Sequence, residues 1–231
     1  MKNQQRYVII GMGAFGREIA RTLQQYHADV MVMDKRDEVI QQLREEGFRF
    51  TVKINTTDAA TLAKFIKPED VVVLAIGESF EDNIVTIGVL QELKVEKIYT
   101  RAIKEIHEHI LQRMNVLETL FPERHEGRRF ALRLLHPNVI FIDQFAKNVF
   151  VCEIEVPPKF FNKTIIELDI RKKYSLNVIG LKEKSDNLQD EYNRKMYTVG
   201  FERKPLQNKH SLLVLGSEDD INRLAIEYEA T

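Results

Sequence analysis

The sequence is poor in cysteine, the residue whose disulfides cross-link small extracellular proteins. It contains one cysteine, Cys152, in 231 residues, and it contains no tryptophan. A single cysteine cannot form an internal disulfide. No histidine stands close to it in a pattern typical of a catalytic nucleophile, so we expect Cys152 to act as a small apolar core residue. A disulfide-dependent secreted fold is therefore excluded.

Long apolar runs and an excess of one charge are also missing. The longest apolar stretches, such as Val71–Ile76, have the length of a strand and fall far short of the roughly 20 residues that cross a bilayer. Met1–Arg6 is polar and predicts no secretory signal, so we expect a cytoplasmic location. The 34 basic and 35 acidic residues nearly cancel, without the basic excess typical of nucleic-acid binding. No nucleic-acid partner is expected.

The first part of the chain alternates strand patterns with amphipathic helical patterns. This alternation is typical of parallel βαβ units. The strongest strand pattern, Val71–Ile76, is apolar on both faces, as a central parallel strand should be. A helical run from Glu123 stops at His136, because Pro137 disfavours helix for the residue before it. Residues 1–136 are thus predicted to form a doubly wound parallel α/β sheet, with a connector helix at 123–136.

Residues 137–231 predict a second, smaller unit. Pro157 and Pro158 end a strand pattern, a helix is predicted over Thr164–Tyr174, and a strand over Met196–Phe201. The polar stretch Lys182–Arg194 separates further strand patterns. We therefore expect a small α+β domain, short enough that dimerisation would help its stability.

A glycine-rich turn follows the first strand and opens the first helix. The segment Gly11–Gly16 has the pattern G-x-G-x-x-G. Gly11 suits the tight turn, Gly13 lets a phosphate approach the backbone, and Gly16 lets helix and strand pack closely. Free amides at the helix start then attract the phosphates, with Ala14 and Phe15 in the same turn. The segment predicts a Rossmann-like nucleotide-binding domain.

An acidic residue supports the same interpretation. Asp34 ends the second strand, 18 residues after Gly16, where a carboxylate can accept hydrogen bonds from ribose hydroxyls. Lys35 and Arg36 could accept a 2′-phosphate, although a charged helix start is the simpler explanation. Residues at the ends of the third and fourth strands are expected to line the base and ribose: Asn55, Thr56, Ala75, Ile76 and Gly77.

No residue pattern for catalysis or metal chelation accompanies this loop. A dehydrogenase needs an acid or base beside the nicotinamide, and none is recognisable. His107 and His109 lie two apart on a predicted helix and point to different sides. The sequence favours a non-catalytic nucleotide-binding protein. A small NAD(P)-dependent oxidoreductase is the alternative, and a DNA-binding redox sensor would need a helix-turn-helix that is not visible.

Pro122 and Glu123 begin the connector helix. A carboxylate in the first turn is favoured by the helix dipole. Glu123 could instead bind a divalent cation shared between protomers.

On these residues the sequence resembles the RCK or KTN proteins, with TrkA-N and TrkA-C domains, which are cytosolic regulators of Trk/Ktr-type potassium uptake. The resemblance rests on four features besides Asp34: Ile9–Gly16, Val72–Gly77, Pro122-Glu123 and Asn162–Tyr174. It covers nearly the whole chain. Several relatives have arginine where this chain has Ala14, and Arg17 lies nearby.

The resemblance implies a non-catalytic gating-ring subunit with ADP, ATP or NAD(H) in its N-terminal domain. It implies homodimers that assemble into an octameric ring, attached to the inner face of the cell membrane through a membrane-embedded potassium-translocating subunit. It also implies Ca²⁺ or Mg²⁺ at Glu123. In some relatives the C-terminal domain binds cyclic di-AMP, and Ile170 and Arg171 match part of that site.

Overall fold

The computed structural model describes residues 5–183 and 195–229, and the chain divides between His125 and Glu126 into two compact units. Residues 184–194, most of the predicted polar stretch, lie outside the described residues, as do residues 1–4 of the polar amino terminus. Each unit has its own apolar core.

The first unit contains a six-stranded sheet in the order β3-β2-β1-β4-β5-β6. Every strand pair in it is parallel. The strands are β1 (Arg6–Ile10), β2 (Asp29–Asp34), β3 (Phe50–Lys53), β4 (Val71–Leu74), β5 (Lys97–Arg101) and β6 (Glu118–Leu120). The predicted doubly wound, Rossmann-like sheet is confirmed, and the strand order reverses between β1 and β4.

Helices cover both faces of this sheet. They are α1 (Ala14–Gln25), α2 (Asp37–Glu45), α3 (Ala59–Leu62), α4 (Phe80–Glu92) and α5 (Glu105–Arg113). Side chains alternate along each strand, so Val8 and Ile10 pack into one core layer and Ile9 into the other. Two buried layers hold the carboxyl ends of β1, β2 and β4 in fixed positions.

Helix α6 (Pro122–Leu135) carries the chain from the first unit into the second. The sequence prediction placed this whole helix in the first domain, whereas the division assigns residues 126–135 to the second unit. The contacts explain the difference. Leu132 packs against the core of the second unit, and Arg128 donates a hydrogen bond to the side chain of Gln144 at 2.9 Å.

The second unit contains an antiparallel five-stranded sheet in the order β10-β9-β11-β8-β7. Its elements are β7 (Val139–Ala146), β8 (Val149–Glu155), a 3₁₀ turn (Pro158–Phe160), α7 (Ile165–Leu168), α8 (Ile170–Tyr174), β9 (Asn177–Glu183), β10 (Met196–Tyr197), β11 (His210–Gly216) and α9 (Glu218–Glu229). The α+β prediction is confirmed. Cys152 is fully buried in this core, as expected, and burial raises the pKa of its thiol to about 12.

Three predicted elements differ from the structure. The helix predicted over Thr164–Tyr174 is broken at Asp169, whose backbone is left-handed at φ 47° and ψ 47°. The strand predicted over Met196–Phe201 pairs only at Met196–Tyr197. The strand predicted over Val71–Ile76 ends at Leu74, which leaves Ala75–Gly77 as a loop at the sheet edge. In the part of the chain that the structure describes, no helix is long and apolar enough to span a membrane.

Candidate functional site

A cavity of about 310 Å³ opens where β1 and β4 lie side by side, at the carboxyl ends of the strands. Ligands of doubly wound sheets bind at this position, where the strand order reverses. Nine of the residues proposed from the sequence line it: Gly11, Gly13, Asp34, Lys35, Asn55, Thr56, Ala75, Ile76 and Gly77. The other residues that line it are Ile10, Arg36, Ile54, Glu78, Asp82 and Arg101.

The three loop glycines differ in what a side chain would meet. Gly11 has φ of +90°, and a Cβ there would lie 3.0 Å from the backbone nitrogen of Ile76. A Cβ at Gly16 would lie 2.1 Å from the carbonyl oxygen of Gly11. A Cβ at Gly13 would meet no described atom within 4 Å. Gly11 and Gly16 are therefore required by packing, while Gly13 keeps the mouth of the cavity open.

The start of α1 suits an anion. Its N-cap is Gly13, no described side chain caps it, and its first turn contains no acidic residue. The amides at a helix start point outward and the helix dipole adds positive potential there. Ala14 and Phe15, which the sequence placed in the site, lie in this turn without lining the cavity.

Asp34 is buried at the end of β2, with 4% of its surface exposed. Its carboxylate accepts a hydrogen bond from the backbone N–H of Met12 at 2.8 Å, which ties it to the glycine loop. Arg36 donates to it from its backbone at 3.0 Å and from Nε and Nη2 at 2.9 Å each. Burial raises the pKa of Asp34, but the hydrogen bonds from Arg36 and Met12 outweigh burial, and the net pKa is lowered.

The pairing of Asp34 with Arg36 has a consequence for ligand binding. A carboxylate has about four good acceptor positions, and these four donors use them. Ribose hydroxyls could bind Asp34 only after the Arg36 side chain moves aside. Lys35 and Arg36 also lie 3.8 and 4.0 Å from carboxylate oxygens of Glu78, which offers Arg36 an alternative partner.

The loop after β3 is held by hydroxyl contacts. Thr56 is buried, and its hydroxyl lies 3.0 Å from that of Thr86 on α4. Asn55 is exposed, and its side-chain oxygen accepts a hydrogen bond from the Thr57 hydroxyl at 3.0 Å. Asn55 therefore presents its side chain at the cavity rim, while Thr56 braces the wall against α4.

Arg101, at the end of β5, is the main residue that sequence reasoning missed. Its side chain is 16% exposed, and it pairs through Nη2 with Glu123. A Cβ on Gly77 would lie 2.7 Å from Arg101 Nη1, so Gly77 makes room for the guanidinium. The guanidinium carbon lies 5.8 Å from the ring centre of Phe15. An isolated arginine at a strand end belongs to no motif, so only its position at the carboxyl edge could have indicated it.

The two further predicted ligand sites are placed as follows. Glu123 lies in the first turn of α6, and its side chain is 54% exposed. Across the described residues, no group of three or more His, Cys, Asp and Glu side chains is arranged to hold a metal ion. Ile170 is 1% exposed in the core of the second unit, so its side chain is not available to a surface ligand, whereas Arg171 is exposed.

A doubly wound parallel sheet, a glycine turn at its switch point and an acid at the end of β2 together define a nucleotide-binding domain of the Rossmann type. Residues 7–122 match the TrkA-N domain, and the chain belongs to the TrkA-N domain family.

Two relatives are similar in sequence over most of the chain. Ktr system potassium uptake protein C of Bacillus subtilis is 24% identical over 220 residues, which are 95% of this chain and 96% of the relative. Ktr system potassium uptake protein A of the same organism is 25% identical over 186 residues, with 80% and 83% covered.

Solved structures show the same fold. The GsuK RCK domain superposes with a TM-score of 0.63 at 21% identity, over 98% of this chain and 48% of that chain. The GsuK channel bound to NAD gives a TM-score of 0.64 at 19% identity, over 98% and 40%. This chain thus spans less than half the length of those GsuK chains, and the likeness shows a shared fold.

Proposed function

We propose that this protein is a non-catalytic, nucleotide-binding regulatory subunit of a potassium uptake system. The membership of the TrkA-N family and the two relatives named as Ktr system potassium uptake proteins support this role. The observation that carries it is the cavity at the β1/β4 switch point, with Gly13 open beneath it and Asp34 at its edge. The subunit would work in the cytoplasm, on a membrane-embedded potassium-translocating subunit.

The ligand we propose is ADP, ATP or NAD(H). GsuK has been solved bound to NAD and bound to ADP. In this chain the start of α1 would receive the diphosphate, and Asp34 would receive the ribose once Arg36 has moved aside. No covalent chemistry is needed for a regulatory role.

The proposed assembly is a homodimer that builds an octameric ring. A nucleotide can change the shape of such a ring only by binding one conformation better than another. A divalent cation at Glu123 would need ligands besides those that the described chain gathers there, such as a phosphate or a second protomer. That cation and cyclic di-AMP at Ile170 and Arg171 stay predictions.

Thermal denaturation with ATP, ADP, NADH, NADPH and cyclic di-AMP in turn tests the proposal. A ligand that binds the folded form stabilises it by about 2.7 kcal/mol at 100 times its Kd. We expect ADP, ATP or NADH to raise the midpoint, and Gly13→Asp to remove most of the rise. Gly127→Asp is the matched control, because Gly127 is also free of close neighbours but lies in the second unit.

Two results would overturn the proposal. One is a midpoint that no nucleotide raises. The other is sustained oxidation of NADH that depends on an added carbonyl substrate, which would favour the oxidoreductase alternative. For the regulatory role itself, co-expression with a Ktr-type membrane subunit should support growth at low potassium, and Gly13→Asp should weaken that growth.

A further inference from the structure

We propose that Arg101 binds the terminal phosphate of the nucleotide. In the absence of nucleotide, Glu123 pairs with the Arg101 guanidinium, and the phosphate of a nucleoside di- or triphosphate displaces the Glu123 carboxylate. This inference rests on the proposed nucleotide function and adds a selectivity to it. The site would distinguish nucleotides by the charge of their phosphate groups. Binding of a charged phosphate would also change the ion pairing of Glu123 in the first turn of α6.

The glycine loop itself supplies no cation. Gly11–Gly16 contains no basic residue. Arg17, the next residue, is turned toward α2, where it pairs with Glu46 and lies 3.2 Å from the side-chain oxygen of Gln42. A polyphosphate on the helix amides would therefore keep most of its charge unless another side chain neutralised it.

Arg101 is placed to neutralise that charge. It lines the cavity, and its guanidinium approaches the ring of Phe15 in the loop. The other lining cations, Lys35 and Arg36, stand beside Glu78 and Asp34, where the ribose is expected. Among the lining residues, Arg101 is thus the basic side chain that lies next to the phosphate loop.

Arg101 also has unused hydrogen-bonding capacity. Its Nε is buried and makes no hydrogen bond to any residue that the structure describes. A buried donor without an acceptor is unfavourable, so an incoming phosphate oxygen would relieve it. A guanidinium carries five N–H donors in a fork that matches a phosphate, so Nε and Nη atoms can bind one phosphate together. Gly77 leaves room for this fork, since any side chain there would collide with Nη1.

Glu123 is the natural competitor. Its carboxylate is half exposed, so water weakens its hold on Arg101. A terminal phosphate carries more charge than a carboxylate, and the dipole of α1 favours it further. When the phosphate takes Arg101, Glu123 loses its partner at the start of α6, the helix that continues into the second unit. Exchange of partners on Arg101 would therefore convert phosphate binding into a change at the start of that helix.

Isothermal titration with adenosine, AMP, ADP and ATP tests this inference on the full-length protein. We expect Arg101→Gln to weaken ADP and ATP by about 10- to 100-fold, the usual effect of losing a charge-assisted hydrogen bond, and to leave adenosine within about 3-fold. Arg101→Lys should keep part of the affinity, because it keeps the charge without the fork. Arg17→Gln is the matched control and should change little. Thermal midpoints without ligand confirm that each variant is folded.

Glu123→Gln supplies a second, opposite prediction. In titrations without divalent cations, removal of the competing carboxylate should tighten the binding of ADP and ATP several-fold, and the gain should vanish in the double variant Arg101→Gln/Glu123→Gln. Equal ADP affinity in wild type and Arg101→Gln, or weaker ADP binding in Glu123→Gln, would overturn the inference and leave the proposed function standing. A wild-type protein that binds none of the four ligands would overturn the inference, and one that also fails to bind NADH would overturn the proposed function as well.

Discussion

Gly13 and Gly16 lie in one turn, but their missing side chains serve different purposes. A Cβ at Gly16 would meet backbone, 2.1 Å from the Gly11 carbonyl oxygen, whereas a Cβ at Gly13 would enter open space. We expect Gly16→Ala to lower the free energy of unfolding by about 1–3 kcal/mol through overpacking. Gly13→Ala should cost less than about 1 kcal/mol, the usual effect at an N-cap, and yet weaken nucleotide binding. Urea denaturation and titration of both variants separate the two roles, and a Gly16→Ala protein of unchanged stability would contradict this assignment.

Asp34 makes a pH-dependent contribution to stability. Burial alone would raise its pKa, but hydrogen bonds from Arg36 and Met12 lower it below the ordinary value of 3.8. A carboxyl whose pKa is lower in the folded state stabilises the fold above its unfolded pKa, and this stability is lost as the pH falls through the folded pKa. We therefore expect wild type to lose more stability than Asp34→Asn between about pH 5 and pH 2. Urea denaturation across this range measures the difference, and parallel curves would show that Asp34 is not the cause.

The residues of the site were predictable to different degrees. Gly11, Gly13, Gly16 and Asp34 follow one another at a spacing that the chemistry of a diphosphate and a ribose requires. Arg101 comes from another strand end and is brought to the cavity by the order of the sheet, which no local spacing encodes. The ion pair of Arg36 with Asp34 was also missed, because a side chain two residues away can point to solvent or back to the carboxylate with equal local plausibility.

Among the elements, the break between α7 and α8 shows where helical periodicity misleads. The apolar spacing over Thr164–Tyr174 predicts one helix, and Thr164 with Glu167 forms the capping box at its start. The left-handed Asp169 then redirects the chain, so that Leu168 and Ile170 both enter the core. Glycine would have signalled this turn, whereas aspartate adopts it less often and gives no such signal.

Asp169 gives a prediction for this turn. It is exposed, so substitutions change little besides the backbone preference. A residue with a Cβ and no polar side chain is unfavourable in the left-handed region by about 1–2 kcal/mol, while glycine is tolerated freely. We expect Asp169→Gly to be at least as stable as wild type and Asp169→Ala to be less stable by about 1 kcal/mol. Chemical denaturation compares the pair, and an Ala variant that equals the Gly variant would show that the backbone at 169 relaxes.

The parallel sheet of the first unit was the part of the fold that the sequence predicted best. Strands that are buried on both faces are read as continuous apolar runs, as Val71–Leu74 is. Short edge strands are harder to predict from such runs, because the length of an edge strand depends on how far the neighbouring strand pairs with it. For this reason β10 is shorter than its pattern predicts, with only Met196 and Tyr197 paired to β9.

In the whole molecule, the candidate site draws its lining residues from the first unit alone. The two units also have separate apolar cores: Leu43 is fully buried in the first and Leu212 in the second. Removal of either side chain to Ala should cost about 2–5 kcal/mol, because each leaves a cavity in a packed core. The matched pair can therefore show which unit the ligand stabilises.

Hydrogen exchange measured by mass spectrometry gives that result. We expect Leu43→Ala to speed exchange in peptides of residues 5–125, and Leu212→Ala to speed it in peptides of the second unit. The nucleotide that raises the thermal midpoint should slow the exchange that Leu43→Ala adds in the first unit, because it stabilises the folded form of the unit that contains the candidate site. It should leave the exchange that Leu212→Ala adds in the second unit unchanged. If the nucleotide reversed the effect of Leu212→Ala while leaving that of Leu43→Ala untouched, the ligand would have to bind in the second unit, because stabilisation by mass action acts on the segment whose folding creates the site.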